Sequence, residues 1–416
     1  MHTSTRRAYS TGHNATKPGS VLVTLPRGAR YPRGVYYAMV PPLPRPVRKV
    51  GAPMAAIIGM GTIAALLLVL ITAVNPTGAV LGITLSTAAM VLVVLCYLWL
   101  DRWEPEPPRL LVMAFLWGAS VAALLSVIFE SLLHTAIFGS GKEPGFTTMA
   151  VVAPMVEEAT KGMFLLLMMT GRRRNELNSL TDCLVYAGFT AIGFAWLENI
   201  LYIGGAENVS ASLSTAVLRL AMGPFAHPLF TTVLGIGVYY ALKQRSWPAK
   251  AGAVLLGYLG AVAMHALWNG SALLGGTAYL WVYVLWMMPV FALAIWMAVL
   301  SRRREGYIIG QKLPGMISGG LLTPVEAHYV GSLRARKAAV GQARAIGGRQ
   351  AASSVKSFIN QVVELAFVRD RIDRGFGDPR VYALQNEEAY GVMAARAAAG
   401  PVLHRLNAPG YPPRLR

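Results

Sequence analysis

Long apolar runs alternate with short polar breaks through the middle of this chain. Runs of membrane-crossing length fall at 52–74, 78–100, 110–133, 148–170, 182–204, 216–242, 252–274 and 278–300. As helices, each can cross a hydrocarbon core of about 30 Å. The breaks carry turn and stop residues: Asn75-Pro76, Asp101 to Pro108, Gly139 to Gly145, Gly171 to Asn178, Gly204 to Ser210, Lys243 to Lys250 and Gly275-Gly276. The pattern predicts an all-α, polytopic membrane helix bundle of about eight transmembrane helices. Further on the pattern turns polar but keeps a helical period. Thr323-Pro324-Val325-Glu326 reads as an N-cap, a proline at the first helical position and an early acid. Val355, Phe358, Ile359, Val362, Val363 and Leu365 recur near helical spacing. Three regions are expected: a disordered basic leader (1–50), a transmembrane domain (51–302) and a small cytosolic, basic, mostly helical C-terminal module (303–416).

Composition agrees with a membrane protein, since 55% of the 416 residues are hydrophobic and only 14% charged. The net charge of +19 raises the question of nucleic acid, and its distribution answers it. Residues 1–50 hold nine Lys/Arg and no acid, residues 301–416 hold eighteen against eight acids, and the stretch between holds eleven of each. Basic flanks around a neutral apolar middle are what the positive-inside rule produces, and anionic lipid is the next use for them. No nucleic-acid motif accompanies the charge, so no nucleic-acid partner is expected. The cations of the breaks gather in alternate loops, at Arg102 and Arg109, Arg172 to Arg174, Lys243 to Lys250, and Arg302 to Arg304. That asymmetry predicts a multi-pass membrane protein with both termini cytoplasmic. No signal peptide or cleavage site is expected ahead of the first span. Cys96 and Cys183 stand alone in apolar runs, with neither metal nor disulfide spacing.

Ionisable residues inside membrane helices are costly and mark function, and four runs carry them. These are Glu157-Glu158 with Lys161, Phe194 with Glu198-Asn199, His227, and His265 with Asn269. At about 1.5 Å rise per residue, the four antiparallel helices bring these groups to one layer, central to slightly outward. Lys161, three and four residues on from the glutamates, can neutralise one carboxylate and leave the other to deprotonate a water. His265 and Asn269 share a face and could stabilise an oxyanion. Alternatively, Glu157, Glu198, His227 and His265 offer the ligand set of a zinc site with an open position. The cofactor is thus zinc or none.

At these residues the chain resembles the PrsW family of intramembrane proteases, relatives of the type II CAAX prenyl endopeptidases and the wider CPBP membrane proteins. The resemblance covers about 95–300 and rests on the EExxK of Glu157, Glu158 and Lys161, the FxxxEN of Phe194, Glu198 and Asn199, the isolated His227, the HxxxN of His265 and Asn269, and the acidic-proline segment from Asp101 to Pro107. It implies Glu157 as base with Glu158 as its partner, His265 and Asn269 as oxyanion donors, and Glu198 and His227 completing the catalytic set, supported by Lys161 and Asn199. It also implies a membrane-embedded substrate, typically a single-span anti-sigma factor cut to start a stress response. A CAAX-type prenyl or bacteriocin-processing peptidase is the alternative within proteases.

Other readings compete. A buried Glu/His/Lys set also serves ion- or proton-coupled transporters, which are expected to show inverted repeats and discontinuous helices at the site; no such repeat is visible, and the fourth run is uninterrupted around Glu157. Glu130 and His134 read as an interfacial pair and Arg219 as a snorkelling residue. Glu104 and Glu106 could simply order their turn. His2, His13, His328 and His404 lie in solvent-facing segments, and Trp268, Trp281 and Trp286 read as core or interface aromatics. Gly235, Gly237, Gly257 and Gly260 suit close helix packing.

Overall fold

The computed structural model describes residues 53–407, and within them all regular structure is helical. The leader 1–50 lies outside the described residues. Eight helices form the membrane bundle: α1 Met54–Val74, α2 Pro76–Leu100, α3 Pro108–Phe138, α4 (148–168), α5 Leu180–Gly204, α6 Val209–Leu242, α7 Trp247–Leu273 and α8 Gly276–Ser318. Seven of them are long and apolar enough to cross a membrane. The eighth expected span, α4, falls short because Glu157, Glu158 and Lys161 lie within one turn of it. Its charges are paired inside the bundle, so sequence hydropathy understates how apolar its outer surface is. The fold is a polytopic helical bundle.

Local chemistry sets the helix ends. Asn75 accepts the Gly78 amide at 3.0 Å and donates its own side-chain amide to Gly204 O at 2.7 Å, tying α2 to the far end of α5. Ser179 and Asp182 form a reciprocal capping box that starts α5, and Ser246 caps α7. α5 is the hub, buried almost all round against α2, α3 and α6. α1 and α8 instead present Leu66, Val69, Leu285 and Leu293 outward, the arrangement expected where the surroundings are lipid. Glycines permit the closest approaches. A Cβ on Gly257 would fall 2.8 Å from the Cα of Gly237, so α6 and α7 touch backbone to backbone.

α6 departs from expectation. It is interrupted at 223–225 by Gly223-Pro224-Phe225, and helix resumes at Ala226–Leu242. The proline supplies no amide hydrogen and clashes with the preceding turn. The discontinuous helix expected of a transporter is therefore present here, immediately before His227.

α8 spans 43 residues, about 65 Å at the helical rise. It leaves the membrane bundle and enters the C-terminal module formed with Pro324–Val330 (α9), Leu333–Arg371 (α10) and Pro379–Leu406 (α11). The Thr323 and Glu326 capping box is present, and Val355, Phe358, Ile359, Val362, Val363 and Leu365 are core. The module rests on the basic-loop end of the bundle. Trp103 packs against the module's core, and the Arg336 guanidinium stacks 4.7 Å from its ring while donating to Trp103 O at 2.8 Å. Gly306 leaves room for that indole, since a Cβ there would meet it at 2.7 Å.

Candidate active site

The bundle brings the four polar motifs together around one buried lysine. α4 carries Glu157, Glu158 and Lys161, α5 carries Phe194 and Glu198, α6 resumes at His227, and α7 carries His265. Lys161 is fully buried, and its three ammonium hydrogens have three acceptors. These are Glu158 Oε1 at 2.7 Å, His227 Nδ1 at 3.1 Å and Glu157 Oε2 at 3.3 Å. The ring of Phe194 lies 4.1 Å from the nitrogen, an aromatic floor under the cation.

The two glutamates are not equivalent. Glu158 accepts from Lys161 and from His265 Nδ1 (3.1 Å) at one oxygen, and from Thr231 Oγ1 (2.8 Å) at the other. It is fully enclosed and bonded at both oxygens. Glu157 has only the longer contact from Lys161, while His227 Nδ1 and His265 Nε2 stand 3.9 and 3.8 Å from its Oε2. The carboxylate with acceptor positions to spare is Glu157.

The neighbours also assign the imidazole tautomers. Lys161 donates to His227 Nδ1, so the His227 proton sits on Nε2 and points to Glu198 Oε2 at 2.7 Å. His265 donates from Nδ1 to Glu158, leaving an acceptor lone pair on Nε2 facing Glu157. Phe230 stacks on His265 with centroids 4.7 Å apart and fixes the ring plane.

Glu198 stands one step out. Its carboxylate joins His227 to Arg219, whose Nε also donates to Asn199 Oδ1 at 2.7 Å and whose guanidinium lies 4.1 Å from the Tyr202 ring. Arg219 is therefore a member of the network and not a snorkelling residue. The expected Glu130 and His134 pair does not form. His134 turns instead to Thr148 Oγ1 and Lys142 O, each at 2.8 Å. Asn269 donates to Met149 O at 3.1 Å, pinning α7 to the start of α4. Sequence reasoning missed Thr231 and Phe230, although Thr231 lies four residues after His227 on one helical face, which is the signal that could have found it. Of the tryptophans, Trp268 packs on Tyr279 and Tyr283, while Trp281 and Trp286 face outward. His328 and His404 are exposed, and His2 and His13 lie outside the described residues.

A metal would find three donors here. Ligand atoms of Glu157, His227 and His265 lie within 4.8 Å of one another. Glu198, expected as a fourth ligand, is spent on His227 and Arg219. The Lys161 ammonium already bonds two of the three donors, at 3.3 and 3.1 Å. A dication coordinated by them would sit within a few ångströms of that charge, so the set as folded does not fit a metal while Lys161 stays in place.

A buried acid, ammonium and imidazole cluster inside membrane-length helices has the groups that hydrolytic chemistry in a membrane needs. Comparison with known proteins bears on which of its possible uses applies. Residues 106–294 match the family described as PrsW family intramembrane metalloprotease. Protease PrsW of Geobacillus kaustophilus (strain HTA426) is 26% identical over 219 residues, covering 51% of this chain and 88% of that protein. Protease PrsW of Clostridioides difficile (strain 630) is 28% identical over 145 residues, 35% of this chain and 58% of that protein. Protease PrsW of Oceanobacillus iheyensis is 25% identical over 229 residues, 55% of this chain and 99% of that protein. Over residues 106–294 the chain is thus similar to the PrsW family of intramembrane proteases. No solved structure matches it.

Proposed function

We propose that the chain hydrolyses a peptide bond in a membrane-anchored protein, with Glu157 as the general base. The observation that carries this is the contrast between Glu158, held by three short hydrogen bonds, and Glu157, which has one long contact from Lys161 and lies 3.8 Å from the acceptor nitrogen of His265. A water in that gap donates one hydrogen to Glu157 Oε2 and the other to His265 Nε2, which turns an oxygen lone pair toward the substrate carbonyl. As the C–O bond forms, Glu157 takes the water proton. The tetrahedral anion develops next to the Lys161 ammonium. Glu157 then returns its proton to the amide nitrogen as the C–N bond breaks, releasing an amine and a carboxylic acid, which passes its proton to the amine. Lys161 supplies the fixed positive charge that a metal would otherwise supply. With Nδ1 committed to Glu158, His265 orients the water first and can donate to the oxyanion only after gaining a proton.

The substrate class, a single-span anti-sigma factor, follows from the family resemblance, as do the CAAX-type alternative and the stress-response role. The broken α6 is the observation favouring a transporter as second reading, since such breaks bind ions at their exposed helix ends. Here the resumed end is occupied by His227 and its bonds to Lys161 and Glu198.

The test is purified protein with a membrane-anchored reporter, with and without a strong chelator. Glu157→Gln keeps shape but removes the base, and the cut is expected to slow by about 10²–10⁴. Wild-type turnover in that variant overturns the assignment. The chelator is expected to leave the wild-type rate unchanged, and loss of activity restored by zinc gives Glu157, His227 and His265 to a metal instead.

A further inference from the structure

Where the C-terminal module meets the basic loops, the structure concentrates cations in excess of the acids beside them, Asp370 and Asp378. A shallow recess there is lined by Arg174, Lys243, Arg371 and Arg374 together with Tyr239, Leu242 and Phe376, and no carboxylate lines it. It adjoins a cavity of 290 Å³ that shares Asn178, Tyr239 and Arg374 and is walled by Leu180, Met297, Leu300 and Ile308. Arg304 also lines this cavity.

The partners of these cations are mostly neutral. Arg174 donates to Leu242 O at 3.4 Å, Arg371 to Asn175 Oδ1 at 3.3 Å, and Lys243 lies 3.9 Å from the Tyr239 ring. Of the four, Arg374 has a close carboxylate, Asp370 at 2.7 Å. Burial, followed by repulsion from Arg174, brings Arg371 down to about 10. Half-buried like charges held together by a fold are costly unless an anion joins them. The larger cavity has an apolar wall at the level where α5, α6 and α8 enter the bundle. Its two acids are Asp370 and Glu305. Glu305 accepts from Ser179, and its other oxygen is buried without a hydrogen-bond partner.

We propose that this junction is a binding site for a phosphate monoanion or diester, and specifically for the headgroup of an anionic phospholipid. The phosphate bridges Arg174, Lys243, Arg371 and Arg374, and the upper part of one acyl chain lies against Leu180, Met297 and Leu300. The free oxygen of Glu305 accepts from a headgroup hydroxyl. Basic pockets between helices at a membrane face bind such headgroups, and the amphipathic wall favours a lipid over a soluble phosphate. Two of the four cations come from α10 and the segment after it, beyond the residues matched by the family. The site therefore joins the module to the bundle, and it lies apart from Glu157.

The test uses the full chain in nanodiscs of phosphatidylcholine, with or without phosphatidylglycerol, reading thermal stability and co-purified lipid. Phosphatidylglycerol is expected to raise the melting temperature and to be retained. The double variant Arg174→Gln, Arg371→Gln is expected to retain it roughly tenfold less or worse. The control Arg349→Gln, Lys356→Gln removes the same charge from exposed positions of the module and is expected to behave as wild type. Lys243→Gln alone, the milder change, is expected to lie between them and serves if the double variant does not fold. Equal loss in the control and the junction variants overturns the proposal, because generic charge then explains retention. Stabilisation of phosphatidylcholine discs by inorganic phosphate, lost in the same junction variants, keeps the anion site and assigns it to a soluble phosphate.

Discussion

Lys161 decides the chemistry at the scale of single residues. All three of its hydrogens are committed, and the commitments separate two adjacent glutamates into a tightly held acceptor and a loosely held one. The EExxK spacing made that division legible, because residues three and four apart share a helix face. Arg219 was not legible. Its role depends on how α6 packs against α5, which periodicity cannot report, so an arginine in an apolar run reads as an interface residue. Thr231 was equally hidden, since a threonine in a membrane helix more often bonds its own backbone. Its hydroxyl holds Glu158 Oε2 at 2.8 Å in a fully enclosed place. Thr231→Val keeps the shape and removes that bond. A hydrogen bond to a charged group contributes about 1.5–3 kcal/mol, so kcat is expected to fall by about tenfold or more with KM little changed. Thr231→Ser is expected to restore most of the rate. An unchanged kcat in the valine variant, or no rescue by serine, removes Thr231 from the positioning of Glu158.

Among the elements, the turn from Asp101 to Pro107 shows how far sequence reading reached. The segment was recognisable as acidic and proline-rich, but its purpose lies in contacts made elsewhere. Asp101 Oδ2 accepts the Glu106 amide at 3.0 Å, Glu106 accepts the Tyr186 hydroxyl at 2.6 Å, and Glu104 accepts from Asn178 at 2.9 Å. The turn thus closes the end of the bundle on which the module sits. Burial pushes the Asp101 carboxyl up to about 8 from 3.8, and burial with the charges of Asp182 and Asp101 pushes Glu106 up as well. A folded-state pKa above the unfolded one means that the native state holds the proton more tightly. The associated stability is complete below the unfolded value and is lost as pH rises through about 8. The melting temperature in a neutral detergent is therefore expected to fall between about pH 5 and 8 and to level off above that. Asp101→Asn, which keeps an acceptor for the Glu106 amide, is expected to flatten that slope, leaving the part due to Glu106. A slope equally steep in the asparagine variant shows that Asp101 does not titrate there. The break in α6 was the other element out of reach: Gly223-Pro224 was in plain view, yet a proline in a membrane helix can be absorbed as a kink.

For the molecule as a whole, the bundle and the grouping of polar motifs were legible because burying charge in lipid is so costly that only a shared site explains it. The docking of the module was not legible, as it depends on Trp103 and Arg336, 233 positions apart in the chain. Depth within the bundle carries the last expectation. With the basic loops cytoplasmic, the helical rise places Glu198 about 9 Å, His265 about 12 Å and Glu157 about 14 Å from the opposite ends of their helices. The cytoplasmic ends of α5 and α7 are about 27 Å away from Glu198 and His265 on the same rise. That side is also capped by the module. Water and substrate therefore have the shorter path from the extracytoplasmic side, and the scissile bond is expected in the outer half of the substrate's span or just beyond it. Mass spectrometry of reporter fragments reads this directly. Cysteines at Gly205 and Gly275, near the outer ends of α5 and α7, are expected to react with an impermeant thiol reagent added outside. A cut on the cytoplasmic flank, with those cysteines protected, would reverse the orientation and favour a peptidase acting on cytosolic tails. Because the depth order of the polar residues is fixed by the helices, only the direction of the bundle would then change, and the proposal for Glu157 would stand or fall on its own variant.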